Sequence, residues 1–295
     1  MGRQHSHTHD NTGNIKVAFF LNLSFTILEI IGGLWTNSIA IVADALHDLG
    51  DSFSLGLAWY LAHYSKKGRD RKYSYGYRRF SLLGTLTSTV ILIVGGLFVL
   101  SEAVPRIIRP EPANAAGMVI FAIAGIIING LAVLRVRGGK SLNVQIVTWH
   151  LLEDVLGWVA VLVVSIVLLF RDIYILDAIL SILITLYVLY NVLGNLKKTV
   201  ALFLQAVPEE IDIDDIEKKL LAIDQAQATH HTHVWSLDGE HHVLTTHVVV
   251  NDKATKEEVL QVKGAVIALT EEMDCEHVTV EIEYENEDCR MKESK

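Results

Sequence analysis

The stretch ADALHDLGDS, residues 43–52, carries one histidine and three aspartates inside a long apolar run. Its ionisable residues are Asp44, His47, Asp48 and Asp51. The whole chain has 51% hydrophobic residues and a mean hydropathy of +0.36, values typical of a membrane protein rather than a soluble domain. Ionisable groups are expensive to bury in a membrane, so each is by default a functional residue whose partner must be found.

Charge divides the chain into two parts that suit different media. Residues 1–206 contain 17 Lys+Arg and 12 Asp+Glu, a net charge of +5, whereas residues 207–295 contain 8 and 22, a net charge of −14. Both cysteines, Cys275 and Cys289, lie in the acidic part, where reduced thiols are favoured over a disulfide if that part faces the cytosol. The polar N-terminus leads directly into an apolar run long enough to span, with no small-residue cleavage site, so we expect no removable signal peptide.

Six apolar runs before residue 200 are long enough to span a bilayer, which takes about 20 helical residues. We expect transmembrane helices over residues 15–36, 39–63, 80–104, 114–135, 144–170 and 174–196. The third should stop at Pro105 and Pro110, because proline lacks an amide hydrogen and has a fixed φ.

The loops that follow spans two, four and six are rich in Lys and Arg, with the sequences KKGRDRKYSYGYRR, RVRGGK and KK. By the positive-inside rule both termini are therefore cytoplasmic. A juxtamembrane anchor accounts for the first basic loop better than a nucleic-acid patch does, so we expect a lipid bilayer and no nucleic acid as partner.

The pattern changes after Pro208 to that of a small α+β domain of roughly 85 residues. An amphipathic helix (EEIDIDDIEKKLLAI) precedes two strands (HTHVWSL and HVLTTHVVV), a second helix (TKEEVLQVKGAVIALTEEM) and a third strand (HVTVEIEY), which gives the order αββαβ. We therefore divide the chain into a His-containing N-terminal segment (1–14), a six-helix transmembrane domain (15–200) and a cytoplasmic domain (207–295).

Span five contains WHLLEDVLG, in which His150 and Asp154 repeat the four-residue spacing of His47 and Asp51. Four residues make about one helical turn, so each pair projects from one face of its helix, roughly 6 Å apart along the axis. Together the two faces provide two imidazoles and two carboxylates, a ligand set suited to tetrahedral zinc. The pattern predicts a zinc site between spans two and five.

A zinc site explains these residues better than the other roles open to them do. A packing or helix–helix hydrogen-bonding role suits a single His or Asp better than two matched pairs. Asp48 and Glu153 lie about 100° round their helices from the predicted ligands, whereas Asp44, three residues before His47, is placed to orient a histidine without binding the metal itself. An intramembrane metalloprotease would need His-Glu-x-x-His, which the sequence lacks, so we expect no enzyme. A passive zinc channel or a membrane-bound metal sensor remains the alternative to a transporter.

The chain resembles the cation diffusion facilitators of the zinc-exporter type. The resemblance covers nearly the whole sequence and rests on LEIIGGLWTNSIAIVADALHDLGDS, YSYGYRR, HLLEDVLG, LDAILSILI and HTHVWSL. It implies a homodimeric antiporter of the bacterial inner membrane that exports Zn²⁺ against protons, through a site made by His47, Asp51, His150 and Asp154. Cd²⁺, Co²⁺ or Ni²⁺ could also enter such a site.

The same resemblance implies a ferredoxin-like, dimerising cytoplasmic domain that binds zinc. Seven of the 13 histidines lie between His230 and His277, and positions matching the family's ligands are His233, His247 and Glu283, with His230, His231 and Cys289 as additional candidates. Similar proteins usually carry an acidic residue where this chain has Ser81. The N-terminal HSHTH could collect metal or could simply be solvated.

Overall fold

The computed structural model describes residues 11–65, 67–136, 142–271, 273 and 275–289. The chain forms two compact units, one comprising Met1–His63 with Leu83–Leu196, the other comprising Tyr64–Leu82 with Lys197–Lys295. The long helices are α1 (Asn11–Thr36), α2 (Ile39–Ser65), α3 (Phe80–Ile108), α4 (Ala115–Val136), α5 (Leu142–Phe170) and α6 (Ile175–Phe203).

Four of these helices are long and apolar enough to cross a membrane: Phe80–Ile108, Ala115–Arg135, Thr148–Phe170 and Ile175–Phe203. The chain is therefore an integral membrane protein. The described parts of α1 and α2 are not among these four spans. Both helices carry ionisable groups, namely Glu29 in α1 and three aspartates in α2. The six predicted helices are present, whereas the number that cross the membrane stays a prediction.

The predicted end of α3 was wrong, because the helix continues through Pro105 to Ile108. A proline at this position removes the one hydrogen bond that its own amide would donate to the preceding turn. The next turn still forms, since the amide of Arg109 donates to the Pro105 carbonyl at 2.9 Å. The helix ends before Pro110, where residue 109 is already disfavoured from helical geometry.

Buried contacts hold α2 and α5 in place within the first unit. Asp177 of α6 accepts hydrogen bonds from Ser38 Oγ (2.6 Å) and from the Ile39 amide (2.8 Å), so its carboxylate caps the positive N-terminus of α2. The indole of Trp158 on α5 is buried against Gly125 of α4, where an added Cβ would lie 2.3 Å from the ring. The glycine is therefore required for α4 and α5 to approach closely.

The second unit contains α7 (Ile213–Leu221), β1 (Ala228–Ser236), β2 (His242–Val250), α8 (Lys256–Glu271) and β3 (Cys275–Tyr284). The predicted order αββαβ is confirmed. The strands form one sheet in the order β1-β2-β3, antiparallel between β1 and β2 and parallel between β2 and β3. The parallel pair needs a crossover connection, which α8 provides.

The faces of this sheet differ because side chains alternate along a strand. In β2, Leu244, Val248 and Val250 join the apolar core, which includes residues from α7 and α8. His247 lies an odd number of residues from each of them and therefore points to the other face. The sheet thus has a helix-covered face and an opposite face that carries His247.

The basic loop before α3 also belongs to the second unit and packs on the strand ends. Arg78 Nη2 lies 2.8 Å from Glu276 Oε1, and Arg78 Nη1 lies 3.6 Å from Asp238 Oδ2. Ser81 donates from Oγ to the Arg78 carbonyl at 2.8 Å. This hydrogen bond links the first turn of α3 to Arg78, the residue that pairs with Glu276.

Candidate metal centres

The first candidate site, called here the membrane cluster, consists of His47, Asp51 and His150, whose ligand atoms all lie within 4.8 Å of one another. Asp51 Oδ2 is 2.9 Å from His150 Nε2 and 3.6 Å from His47 Nε2. The two rings are 5.8 Å apart and inclined at 74°. One carboxylate therefore faces two imidazoles from different helices, as the spacing on α2 and α5 suggested.

Asp154, the fourth residue of the predicted ligand set, is not part of this three-residue cluster. Its carboxylate is near enough to interact electrostatically with both His150 and His47. It follows His150 by one turn of α5 and therefore borders the cluster. Its neighbour Glu153 accepts a hydrogen bond from Tyr187 on α6 at 2.9 Å and is engaged elsewhere.

Three further carboxylates lie buried beside the membrane cluster. Asp44 and Asp48 of α2 are 7% and 6% exposed, and Glu29 of α1 is 1% exposed. The Asp44 carboxylate faces Gly157 of α5, where an added Cβ would lie 3.7 Å from Oδ1. Glu29 is not among the residues predicted above, although it shows the same signal, a charge inside an apolar helix.

The second candidate site, called here the sheet cluster, consists of His230, His247, Glu283 and Cys289, whose ligand atoms also lie within 4.8 Å of one another. Glu283 Oε1 lies 2.6 Å from His247 Nδ1, and Oε2 lies 3.0 Å from His230 Nε2. Cys289 Sγ lies 3.8 Å from His247 Nδ1. Two imidazoles, a carboxylate and a thiol are a ligand set that zinc accepts.

A β-bulge in β1 decides which histidines enter the sheet cluster. His230 pairs with His247, the register then shifts, and His233 pairs with Thr245. His231, inside the bulge, has a positive φ of 49°, and its ring lies 5.3 Å from that of His247. The structure therefore places His230 in the cluster and His231 at its edge, whereas His233 is exposed and outside the four residues.

Electrostatics favour the charged form of Glu283. Burial raises the pKa of this carboxyl, but hydrogen bonds to His247 and Cys289, together with the nearby imidazoles, outweigh the burial and lower the pKa below its usual value. A carboxylate that is ionised and nine-tenths buried needs partners of positive charge. Protonated imidazoles or a metal ion meet that need.

Both units match models of one family of proteins. A model described as the cation efflux transmembrane domain matches residues 15–204. A second model, described as the cytoplasmic domain of cation efflux proteins, matches residues 208–285. The two matches together account for nearly all of the chain.

Several curated proteins are similar over almost their whole length. The chain is 32% identical to the metal cation efflux system protein CzcD of Cupriavidus metallidurans, a match that covers 96% of this chain and 90% of that protein. It is 30% identical to a cadmium, cobalt and zinc/H(+)-K(+) antiporter of Bacillus subtilis, over 95% of this chain and 92% of the relative. It is 29% identical to the zinc transporter ZitB of Escherichia coli, over 99% and 97%.

A solved structure of the metal-bound C-terminal domain of the Cupriavidus CzcD transporter is also similar. It shares 32% sequence identity, covers 25% of this chain and 99% of that one, and superposes with a TM-score of 0.22.

Proposed function

The chain belongs to the cation efflux family, and on that premise we propose that it exports Zn²⁺ from the cytosol in exchange for protons. Zinc binds in this proposal at the membrane cluster, with Asp154 as the fourth ligand. The observation that supports it is the approach of Asp51 to both His47 and His150, from two different helices. A site shared between helices can be assembled and taken apart by a small relative movement of those helices.

Proton exchange follows from the chemistry of the ligands. Imidazole binds a metal through the nitrogen lone pair that also accepts a proton, so zinc and protons compete for His47 and His150. Protons that enter from the far side displace zinc there, and zinc that binds from the cytosol displaces protons. Coupling then needs no carrier group beyond the ligands themselves.

The proposed setting is a homodimer in the bacterial inner membrane with both termini in the cytoplasm. In it all six long helices cross the bilayer within residues 15–200, and residues 207–295 form a ferredoxin-like cytoplasmic domain. The similarity to a relative named for cadmium, cobalt and zinc suggests Cd²⁺ and Co²⁺ as further substrates, and Ni²⁺ suits the same donors.

We assign the sheet cluster a regulatory rather than a transporting role. Three of its four residues come from strands of one small domain, and Cys289 follows β3 in the same domain. Metal can stay bound there without blocking a transport path. Each bound Zn²⁺ offsets two of the 14 net negative charges in residues 207–295, which would repel between the two domains of a dimer at separations up to a Debye length of about 8 Å. Bound zinc therefore favours the domain-paired state.

Transport by purified full-length protein in sealed vesicles tests the proposal. Vesicles that contain a zinc-sensitive dye and are acidic inside receive external Zn²⁺, and initial uptake is recorded with and without the pH gradient. A Zn²⁺/H⁺ antiporter accumulates zinc above its external concentration only with the gradient. Asp51→Asn serves as the inactive variant, and Glu153→Gln serves as a control on the neighbouring helix because Glu153 binds Tyr187.

Two other outcomes would overturn the proposal in distinct ways. Uptake that follows the zinc gradient and ignores pH would indicate a passive channel. Binding of zinc without any flux would indicate a membrane-bound sensor.

A further inference from the structure

We propose that Thr185 of α6 positions His47 for metal binding, through one water molecule that links the Thr185 hydroxyl to His47 Nδ1. This role rests on the proposed function in one respect, namely that His47 binds the transported ion. It adds a third helix to a site that α2 and α5 otherwise share. Thr185 does not touch the ion in this arrangement and acts only through the imidazole.

The two nitrogens of His47 have different surroundings. Nε2 faces Asp51 Oδ2 at 3.6 Å within the membrane cluster. Nδ1 is buried and has no hydrogen-bond partner among the described residues, so Asp44, which was expected to orient a histidine, does not bond to it. A histidine that binds a metal through one nitrogen usually donates the proton of the other to a carboxylate, a carbonyl or a water. His47 Nδ1 therefore needs such a partner.

A small cavity lies beside His47, between α2, α3 and α6. Six of its eight lining residues are apolar or glycine, and the two with polar side chains are His47 and Thr185. Neither Asp51 nor His150 lines it, so the cavity meets the imidazole away from Nε2, on the side of Nδ1. Its volume is about 20 Å³. A water molecule needs roughly 10–15 Å³, so the cavity can hold one.

The hydroxyl of Thr185 differs from other buried threonine hydroxyls in the long helices. Those of Thr36 and Thr89 donate to the carbonyl four residues earlier, at 2.7 and 2.8 Å, which is a common way for a helix to satisfy a threonine. Thr185 is only 4% exposed, yet its Oγ1 has no hydrogen-bond partner among the described residues. It is therefore available to a group inside the cavity that it lines.

The packing of α2 beside α6 puts Thr185 and His47 at the same height. Near the start of both helices, Asp177 Oδ2 accepts a hydrogen bond from the Ile39 amide at 2.8 Å. Thr185 follows Asp177 by eight residues, and His47 follows Ile39 by eight residues. At a rise of 1.5 Å per residue, each lies about 12 Å further along its own helix. The shared cavity at that height is what two helices running side by side would produce.

One water molecule in the cavity satisfies both orphaned groups. It accepts the Nδ1 proton of His47 and donates to Thr185 Oγ1, and two partners are enough to hold a buried water. With the proton on Nδ1, the neutral imidazole has its lone pair on Nε2, the nitrogen that faces Asp51. The ring is thereby kept in the tautomer that binds a metal ion at the membrane cluster.

Zinc affinity of the purified full-length protein in detergent tests the role of Thr185, with a fluorescent zinc chelator as competitor. The background variant is His247→Ala with Cys289→Ser, which removes two of the four donors of the sheet cluster. The part of the binding that Asp51→Asn abolishes is assigned to the membrane cluster. Thr185→Val should weaken that part at least about tenfold, the loss typical when the partner of a metal-binding histidine is removed.

Three further variants separate positioning from a merely structural role. Thr185→Ser keeps the hydroxyl and should bind zinc as the background protein does. Thr89→Val is the matched control and should also leave the affinity unchanged, because Thr89 is likewise 4% exposed but donates to a helix carbonyl. In a His47→Asp protein, which has no imidazole at this position, Thr185→Val should cause no further loss of affinity.

Equal affinities in Thr185→Val and Thr89→Val would overturn the role of Thr185. An undiminished loss from Thr185→Val in the His47→Asp protein would also overturn it, because the effect would not pass through the imidazole. Failure of the proposed antiport is distinct: the affinities would follow the expected order, but vesicles of the wild type would take up no zinc. Absence of any binding that depends on Asp51 would overturn both proposals.

Discussion

The membrane cluster and the sheet cluster use similar donors in different surroundings. In the isolated chain the side chains of His47, Asp51 and His150 are 23%, 25% and 42% exposed. By contrast, the side chains of His247 and Glu283 are only 10% and 8% exposed. All three members of the first cluster are partly exposed, whereas the second combines two buried side chains with His230, which is 34% exposed.

The two clusters also differ in what holds them together. The membrane cluster joins residues of two helices that are neighbours only through packing, and one carboxylate serves both imidazoles. In the sheet cluster, His230 and His247 are fixed by strand pairing, and both oxygens of Glu283 are engaged. The difference suggests that a site for release is assembled from movable elements, whereas a site for retention is built into one sheet.

Of the substitutions considered, Asp51→Asn in the membrane cluster should have the largest effect on zinc flux. The amide cannot offer a charged oxygen to both His47 and His150, so we expect initial zinc flux in vesicles to fall more than about 100-fold at every zinc concentration. That is beyond the 10–100-fold loss typical of outer-shell substitutions. Asp154→Asn should behave similarly if it is the fourth ligand. Flux within tenfold of wild type for Asp51→Asn would remove the membrane cluster from the transport path.

His47→Asp should change the choice of metal more than the maximal rate. A carboxylate is a harder donor than imidazole, so the site should shift towards oxygen-preferring or larger ions. We expect the ratio of Cd²⁺ or Mn²⁺ flux to Zn²⁺ flux to rise several-fold in competition assays. An unchanged ratio would mean that His47 does not touch the transported ion.

His247→Ala should reduce flux at low zinc and leave substantial flux at high zinc, because the sheet cluster is assigned a regulatory role. The bulge in β1 sharpens the prediction: His230→Ala should behave like His247→Ala, and His233→Ala should behave like wild type. The measurement is initial rate against free zinc concentration for the three variants. If the flux of His233→Ala instead falls at low zinc as that of His247→Ala does, then His233 is a ligand, as the family resemblance implies, although it lies outside the observed cluster.

Complete loss of flux in His247→Ala and His230→Ala at all zinc concentrations would contradict the division of roles. It would assign the sheet cluster to the transport path or to folding. Thermal unfolding of the same variants with and without zinc separates those two cases.

The smallest expected effect is the pH dependence of the metal-free sheet cluster. Because the folded-state pKa of Glu283 is lowered, its ionised form contributes stability that is fully present above the unfolded value of about 4.3 and lost as the pH falls through the lower folded value. At pH 6, Glu283→Gln should therefore have a free energy of unfolding about 1–2 kcal/mol lower than that of the wild type. Its melting temperature should fall accordingly. The difference should shrink towards pH 3.5 in chelator-treated protein. A constant difference across this range would mean that the Glu283 charge contributes nothing.

Local geometry made the candidate ligands of the membrane cluster predictable from the sequence. Residues four apart share one face of a helix wherever the helix lies, so His47 with Asp51 and His150 with Asp154 could be paired before any fold was known. The order αββαβ was equally readable, since each element follows from its own hydrophobic period. To predict a site from the two His–Asp pairs, one further inference was needed: that two ionisable helix faces inside a membrane pack against each other.

Tertiary structure alone decided which residues complete each site. The bulge in β1 places His230, and not His233, within reach of the other donors of the sheet cluster, and no local pattern shows where strand register will shift. Asp154 lies at the border of the membrane cluster rather than inside it, and Glu29 joins its buried carboxylates, because both placements depend on how helices distant in sequence pack together. The pairing of His230 with His247 has the same physical reason, because pairing between strands brings together residues that lie far apart along the chain.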